Sequence, residues 1–361
     1  MTARRWIRFS TLVTAAGLAA GLQFAPVAAA TAAQPAEQRS EQPSWTLSDT
    51  GSQSHFRGLA AVSRQVAWIS GYDGVVLRTV DGGRHWIDAS PAAAAGLQLR
   101  DISAFDSRHA IAMAAGSGTD SRLFVTEDGG RSWTQAYQNT DPEAFFDCMA
   151  FYDSRHGLVL SDPVGGKFRI LATRDGGQHW TVLPNAGMPA ALPGEAGFAA
   201  SGECLTTSAG QAWFGAGGGA SARIFHSGNG GLSWDVRTSP LISSASAGVF
   251  GLAFRGKVAG IAVGGDFAAP SAAAGVSAFS LFGSPWLRPR HEPAGYRSGV
   301  SWLPGSPATA IAVGLTGSDI SYDAGLDWQT FDTGQFDTVS CPSDGSCWAS
   351  GDLGRVAVLH R

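Results

Sequence analysis

Short stretches in which apolar and polar residues alternate run through the chain from about residue 44, each too brief for a helix and of the length of a β-strand. Six of them open alike: Phe56-Arg-Gly-Leu-Ala, Leu99-Arg-Asp-Ile-Ser, Phe146-Asp-Cys-Met-Ala, Val249-Phe-Gly-Leu-Ala, Tyr296-Arg-Ser-Gly-Val and Phe336-Asp-Thr-Val-Ser. Between them a polar, glycine-bearing octet returns. It reads Thr79-Val-Asp-Gly-Gly-Arg-His-Trp86, then Thr126 to Trp133, Thr173 to Trp180, Ser227 to Trp234 and Ser321 to Trp328. A worn copy, Phe279 to Trp286, keeps a Gly and the Trp but not the hydroxyl or the Asp. Each octet predicts a turn between two strands. The Asp carboxylate (Asp81, Asp128, Asp175 and Asp323, with Asn229 in the fourth copy) accepts backbone N–H groups, a glycine supplies a conformation closed to other residues, and the Trp packs back under the sheet.

The octet tryptophans 86, 133, 180, 234, 286 and 328 are separated by 47, 47, 54, 52 and 42 residues, the period of a four-stranded propeller blade. Six octet-bearing blades follow, and Phe336 begins a seventh that ends one strand short at the C-terminus. Trp45-Thr-Leu-Ser-Asp49 lies in phase, 41 residues ahead of Trp86, and is expected to supply the missing outer strand and close the ring. The expected fold is therefore all-β: a seven-bladed propeller over 44–361.

Ahead of the propeller, residues 1–30 carry Arg4, Arg5 and Arg8, an apolar stretch and a small-residue cleavage site. This predicts a signal peptide and an exported, periplasmic or secreted protein, with 31–43 a flexible leader. No mature segment is apolar for long enough to span a membrane. Loss of the three signal arginines takes the formal net charge from −4 to −7, which argues against nucleic acid. The four cysteines of an exported chain suggest pairing. Cys341 and Cys347 flank one turn and are expected to be bridged; Cys148 and Cys204 are read as either a bridge or two buried thiols.

Turns after the inner strands are short and share a face with the octets, whereas the insertions (184–197, 240–248, 288–295, 162–167 and 265–278) fall on the other face, where binding is expected. Charges gather there. Arg57, Arg100, Asp147, Arg297 and Asp337 begin inner strands, Asp73, Asp162, Asp266 and Asp352 end second strands, and Glu195 sits in the insertion Leu192-Pro-Gly-Glu-Ala-Gly-Phe198. Taken singly, each also fits a structural ion pair; taken together, they are the expected binding cluster. The octet histidines His85 and His179, and His109 and His156 in the repeated turns, read as parts of the repeat. Neither a metal nor a cofactor is indicated by any motif, and the protein is expected to be a monomer.

The octet resembles the Asp-box of bacterial sialidases, sortilin-type receptors and related propellers. Together with Phe56-Arg-Gly-Leu59, Leu77-Arg-Thr-Val-Asp-Gly-Gly83, Gly157-Leu-Val-Leu-Ser-Asp-Pro163, Ile261-Ala-Val-Gly-Gly-Asp266 and Ala312-Val-Gly-Leu-Thr-Gly-Ser-Asp319, the chain resembles the bacterial branch of the photosystem II stability/assembly factor family. That resemblance implies an exported, non-enzymatic scaffold that binds a membrane-protein precursor or other protein partner through an arginine-rich patch. Arg57 is the position that carries over first, then Arg78 and Arg297. Similar proteins occur in bacteria without a photosystem. The alternative is a sialidase-like glycoside hydrolase, which would need three converging arginines, for which Arg57, Arg100 and Arg297 are available, and a Tyr–Glu pair, of which only Tyr296 is in place.

Overall fold

A turn that binds its own backbone is what makes each blade. In the computed structural model, which describes residues 42–281 and 285–360, the octet hydroxyl is the hub. Thr79 Oγ1 accepts the Gly83 N–H at 3.0 Å and donates to Asp81 Oδ1 at 3.0 Å, while Asp81 Oδ1 also accepts the His85 N–H at 3.0 Å. The same three bonds recur around Thr173, Asp175 and His179, and around Ser321, Asp323 and Asp327. Both glycines of the first octet have left-handed backbones, with φ of 76° at Gly82 and 82° at Gly83; the last octet holds Ala324 in the same region at 64°.

Seven antiparallel sheets result. Blade 1 comprises Phe56–Ala61, Ala67–Gly71, Val76–Thr79 and Ile87–Asp88. Blades 2, 3 and 4 occupy 98–138, 146–182 and 205–238, blade 5 occupies 247–281 and blade 6 occupies 299–332. Blade 7 takes Thr338–Ser340, Trp348–Ser350 and Val356–His360 from the end of the chain and Ser44–Ser48 from its beginning, with Trp45 opposite Leu359 and Leu47 opposite Ala357. Closure by the N-terminal strand is as expected from its phase. The proposed signal peptide 1–30 and most of the 31–43 leader lie outside the described residues.

The tryptophans pack back on their own sheets, as Trp180 does on Phe151 at 5.9 Å and Trp234 on Phe214 at 4.8 Å, but they reach further. Each enters the seam with the preceding blade. Trp133 packs with Trp68 and Ala89 of blade 1, Trp180 with Ile111 and Met113 of blade 2, and Trp328 with Ile261 and Val263 of blade 5. Trp86 meets Trp348 of blade 7 edge-on at 6.1 Å. Trp45 takes the equivalent seat between blades 6 and 7, against Phe331 and Phe336, and donates from Nε1 to Ser318 Oγ at 2.9 Å. The repeat therefore staples neighbouring blades, and among the described residues the core is seven apolar seams with a small eighth cluster of Ala200, Phe250 and Tyr296.

Blade 5, whose octet is worn, departs from the pattern. Among the described residues it has three strands, and Phe279 pairs with Leu287 beyond the third. The Glu292 carboxylate accepts N–H bonds from Gly275, Val276 and Ser277 at the start of that strand. Both disulfides are formed, Cys341–Cys347 within blade 7 and Cys148–Cys204 between blade 3 and the approach to blade 4.

Candidate functional site

Strand alternation decides which end of the channel each side chain reaches. The turns after the inner strands bond to the octets, as in Gly82 N–H to Gln65 O and Gly129 N–H to Arg108 O, so those two sets share a face. The connections between blades, and those between second and third strands, emerge at the opposite mouth. There the inner strands of blades 1, 2, 3 and 5 each carry a bulge at the second residue of the repeated opening, at Arg57, Arg100, Asp147 and Phe250. A bulge turns an extra side chain out of the ladder, here towards the axis.

Arg57 and Arg100, from adjacent blades, converge. Their Nη1 atoms both donate to the carbonyl of Ala199, at 3.3 and 3.4 Å, and both guanidinium groups lie over the Tyr72 ring, 5.6 and 5.8 Å from its centroid. Arg100 is further held by Gln98 Oε1. Among the described residues neither has a carboxylate within ion-pair distance, and burial together with the Arg57 cation pushes the Arg100 pKa below its ordinary value. Beside them, His55 Nε2 lies 2.8 Å from Asp337 Oδ2, its Nδ1 lies 3.6 Å from Asp352 Oδ1, and its ring packs on Tyr72.

Ala199 belongs to a segment absent from the sequence reading. Blade 4 is the blade without an inner-strand opening of the repeated type; in its place Gly197-Phe-Ala-Ala-Ser-Gly-Glu-Cys204 threads the channel. Phe198 stacks on Phe250 of blade 5 at 4.1 Å. Ser201 Oγ donates to Ser298 O of blade 6. The Glu203 carboxylate accepts from Val300 N–H of blade 6 and from Thr338 Oγ1 and Val339 N–H of blade 7. The segment thus touches every blade and stoppers the channel. Disulfide Cys148–Cys204 fixes its end. On the octet face a two-lobed funnel of about 440 and 500 Å³ remains, with Gly202 and Glu203 in the lining of both lobes.

Three carboxyl groups surround the stopper and a fourth, that of Glu203, belongs to it. Burial pushes Glu203 up to about 8 and Asp162 up to about 6. Burial and the neighbouring Asp162 push Asp147 well above the usual range, and burial does the same to Asp101. Asp162 Oδ1 accepts the Gly197 N–H at 2.8 Å, and Asp101 Oδ2 accepts the Met149 N–H.

The expected cluster is therefore brought together only in part. Arg57, Arg100, Asp147, Asp162 and Asp337 line the mouth. Arg297 does not: its Nε donates to Asp319 Oδ2 at 2.6 Å, its Nη1 to Tyr296 O and Thr316 Oγ1, and its side chain is fully buried. The reason is a one-residue offset. Phe56, Phe336 and Arg297 each donate their N–H to a glycine carbonyl at the end of the preceding blade's second strand (Gly351, Gly314 and Gly264), so Arg297 occupies the core position of Phe56, and Ser298 corresponds to Arg57. Arg78 lies at the octet face, its Nη1 on Ser107 O of blade 2 and its guanidinium over Trp68, because it stands one residue before the octet. Glu195 is spent on Arg223 of blade 4, tying the insertion to that sheet. Asp266 caps its own turn at the Ala268 N–H. Asp73 is exposed in the blade 1 turn next to Tyr72. The arginine triad of a sialidase is not assembled, since Arg297 faces away from Arg57 and Arg100, and Tyr296 is buried, its hydroxyl raised by burial and by Asp337.

No family model and no curated protein matches this chain by sequence. Among solved structures it is similar to YCF48 bound to D1 peptide, with 14% identity and a TM-score of 0.62 over 87% of this chain and 96% of that one. It is also similar to YCF48 from Cyanidioschyzon merolae, at 13% identity, TM-score 0.57, 88% and 98% coverage. The Neurospora crassa Pan2 WD40 domain aligns at 13% identity with a TM-score of 0.58, over 85% of this chain and 89% of its own. At such identity the likeness establishes the β-propeller fold. Among the described residues no helix is long and apolar enough to cross a membrane, and no group of three His, Cys, Asp or Glu is placed to hold a metal.

Proposed function

We propose that this protein is an exported, non-enzymatic propeller scaffold that binds a segment of a protein partner at the insertion-bearing mouth. The observation that carries the reading is the Arg57–Arg100 pair. Two guanidinium groups held side by side over one tyrosine, without a carboxylate partner, favour a partner segment that brings negative charge. Tyr72 and the half-exposed Phe267, edge-on to Phe250, supply apolar area beside the cations. Support for a polypeptide as occupant comes from the similar propeller described as bound to D1 peptide. Export rests on the signal-like residues 1–30.

A photo-crosslinking residue in place of Phe267 at the mouth, compared with one in place of Arg131 in the second octet, tests this in cells. The reading expects one defined protein adduct at position 267 that is lost when Arg57 and Arg100 are both replaced by Ala, and none at 131. Adducts at 131 alone, or at 267 regardless of the arginines, contradict it.

A further inference from the structure

The channel stopper has only a small apolar anchor. Phe198 and Ala200 join Phe250 and Tyr296 in one small cluster, and the rest of Gly197-Phe-Ala-Ala-Ser-Gly-Glu203 is small or polar, so the polar groups at its entrance weigh heavily in its stability. Asp147 and Asp162 both bear on Gly197. Asp162 Oδ1 accepts its N–H, and Asp147 Oδ2 packs so near that a Cβ on Gly197 would stand 2.6 Å away. Asp147 Oδ2 is buried without a hydrogen-bond partner.

We propose that residues 197–203 form a proton-held stopper, seated while the Asp147–Asp162 carboxyl pair carries a proton and released from the channel when that proton leaves. This goes beyond the scaffold reading and does not depend on it. With both groups ionised, two adjacent negative charges would face one strand of backbone. The nearest cations are Arg100, which attracts Asp147, and Arg57, and both already donate to Ala199 O. Deeper in the channel Asp101 and Glu203 add negative charge, and on the far side Asp337 is engaged with His55 near Tyr296. None of these relieves the pair.

The sign follows from linkage. A carboxyl whose pKa is raised in the seated state binds a proton that the released state gives up. Seating is therefore favoured fully below the ordinary carboxylate range and lost as pH rises through about 6, the value to which Asp162 is raised, with Asp147 displaced in the same direction. The disulfide at Cys204 keeps the released segment tethered.

Hydrogen exchange of the full chain between pH 4.5 and 7, below the titration of Glu203 within the segment at about 8 and corrected for the intrinsic pH dependence of exchange, tests the proposal. Protection of 197–203 should fall about tenfold per pH unit above the titration of the pair, while Ala110–Ala115 in blade 2 stays protected. Asp147→Asn places an N–H where the proton sits and should abolish the pH step; Asp162→Asn serves if that variant does not fold. Constant protection of 197–203 across the range in the wild type, the same step in a folded Asn variant, or simultaneous loss of protection in 110–115 overturns it.

Discussion

The two faces of this propeller are built on opposite principles. On the octet face one solution is repeated: a buried Ser or Thr hydroxyl, a carboxylate that collects N–H groups, two left-handed residues and a tryptophan staple. Hydrogen bonds from the His85 side chain and backbone hold Asp81 down at about 2, and those from Ser132 do the same for Asp128. On the other face the blades differ in their connections, insertions crowd the mouth, and the carboxyls of Asp147 and Asp162 are raised by burial. Asp81 and Asp128 keep their contribution down to acid pH and lose it only as pH falls from the ordinary carboxylate range through about 2. The mouth loses its contribution as pH rises through about 6. One face is stable because its charges are satisfied; the other is adjustable because they are not.

If the octet face and its staples are the source of stability, the largest loss comes from opening the ring. Removing residues 44–48 strips blade 7 of its outer strand and empties the seat of Trp45, and Trp45→Ala alone should cost about 3–5 kcal/mol. Thermal unfolding checks this, and an unchanged midpoint would take that strand out of the ring. Next comes Arg297, which the structure assigns to the core. Arg297→Ala leaves Asp319 buried without its cation and should destabilise by about 3–5 kcal/mol in denaturant titration; a neutral result would return Arg297 to the mouth. Smaller is Thr173→Val, which keeps the shape but leaves the buried Gly177 N–H without its acceptor, for about 1–3 kcal/mol and no change in binding. Smallest in stability is Arg57→Ala, within about 1 kcal/mol, since its bond to Ala199 is long and half-exposed.

What could be read from sequence follows the same division. Blade number, ring closure, the shared face of the octets and the Cys341–Cys347 bridge all rest on a repeat whose chemistry is local, and a period of 41 to 54 residues is visible without tertiary knowledge. The mouth is built from non-local contacts, and there the reading failed in specific places. Tyr296-Arg297 looked like Phe56-Arg57, yet a slip of one residue exchanges channel for core, because side chains alternate along a strand. The stopper left a negative signal, the missing inner-strand opening of blade 4 in the longest of the octet intervals, but its partners are 97 to 136 residues away. His55 went unnoticed because its carboxylate partners, Asp337 and Asp352, meet it only when the ring closes.

The central claim, that recognition belongs to the irregular mouth and not to the repeated face, is tested most directly by the affinity of the partner captured at position 267 for two single-arginine variants. Arg57→Ala and Arg131→Ala change the net charge equally and sit on opposite faces. The account predicts that Arg57→Ala weakens binding about tenfold or more, the loss expected for an arginine at a binding centre, while Arg131→Ala binds as the wild type does. Equal weakening in both variants, or loss in Arg131→Ala alone, would contradict it.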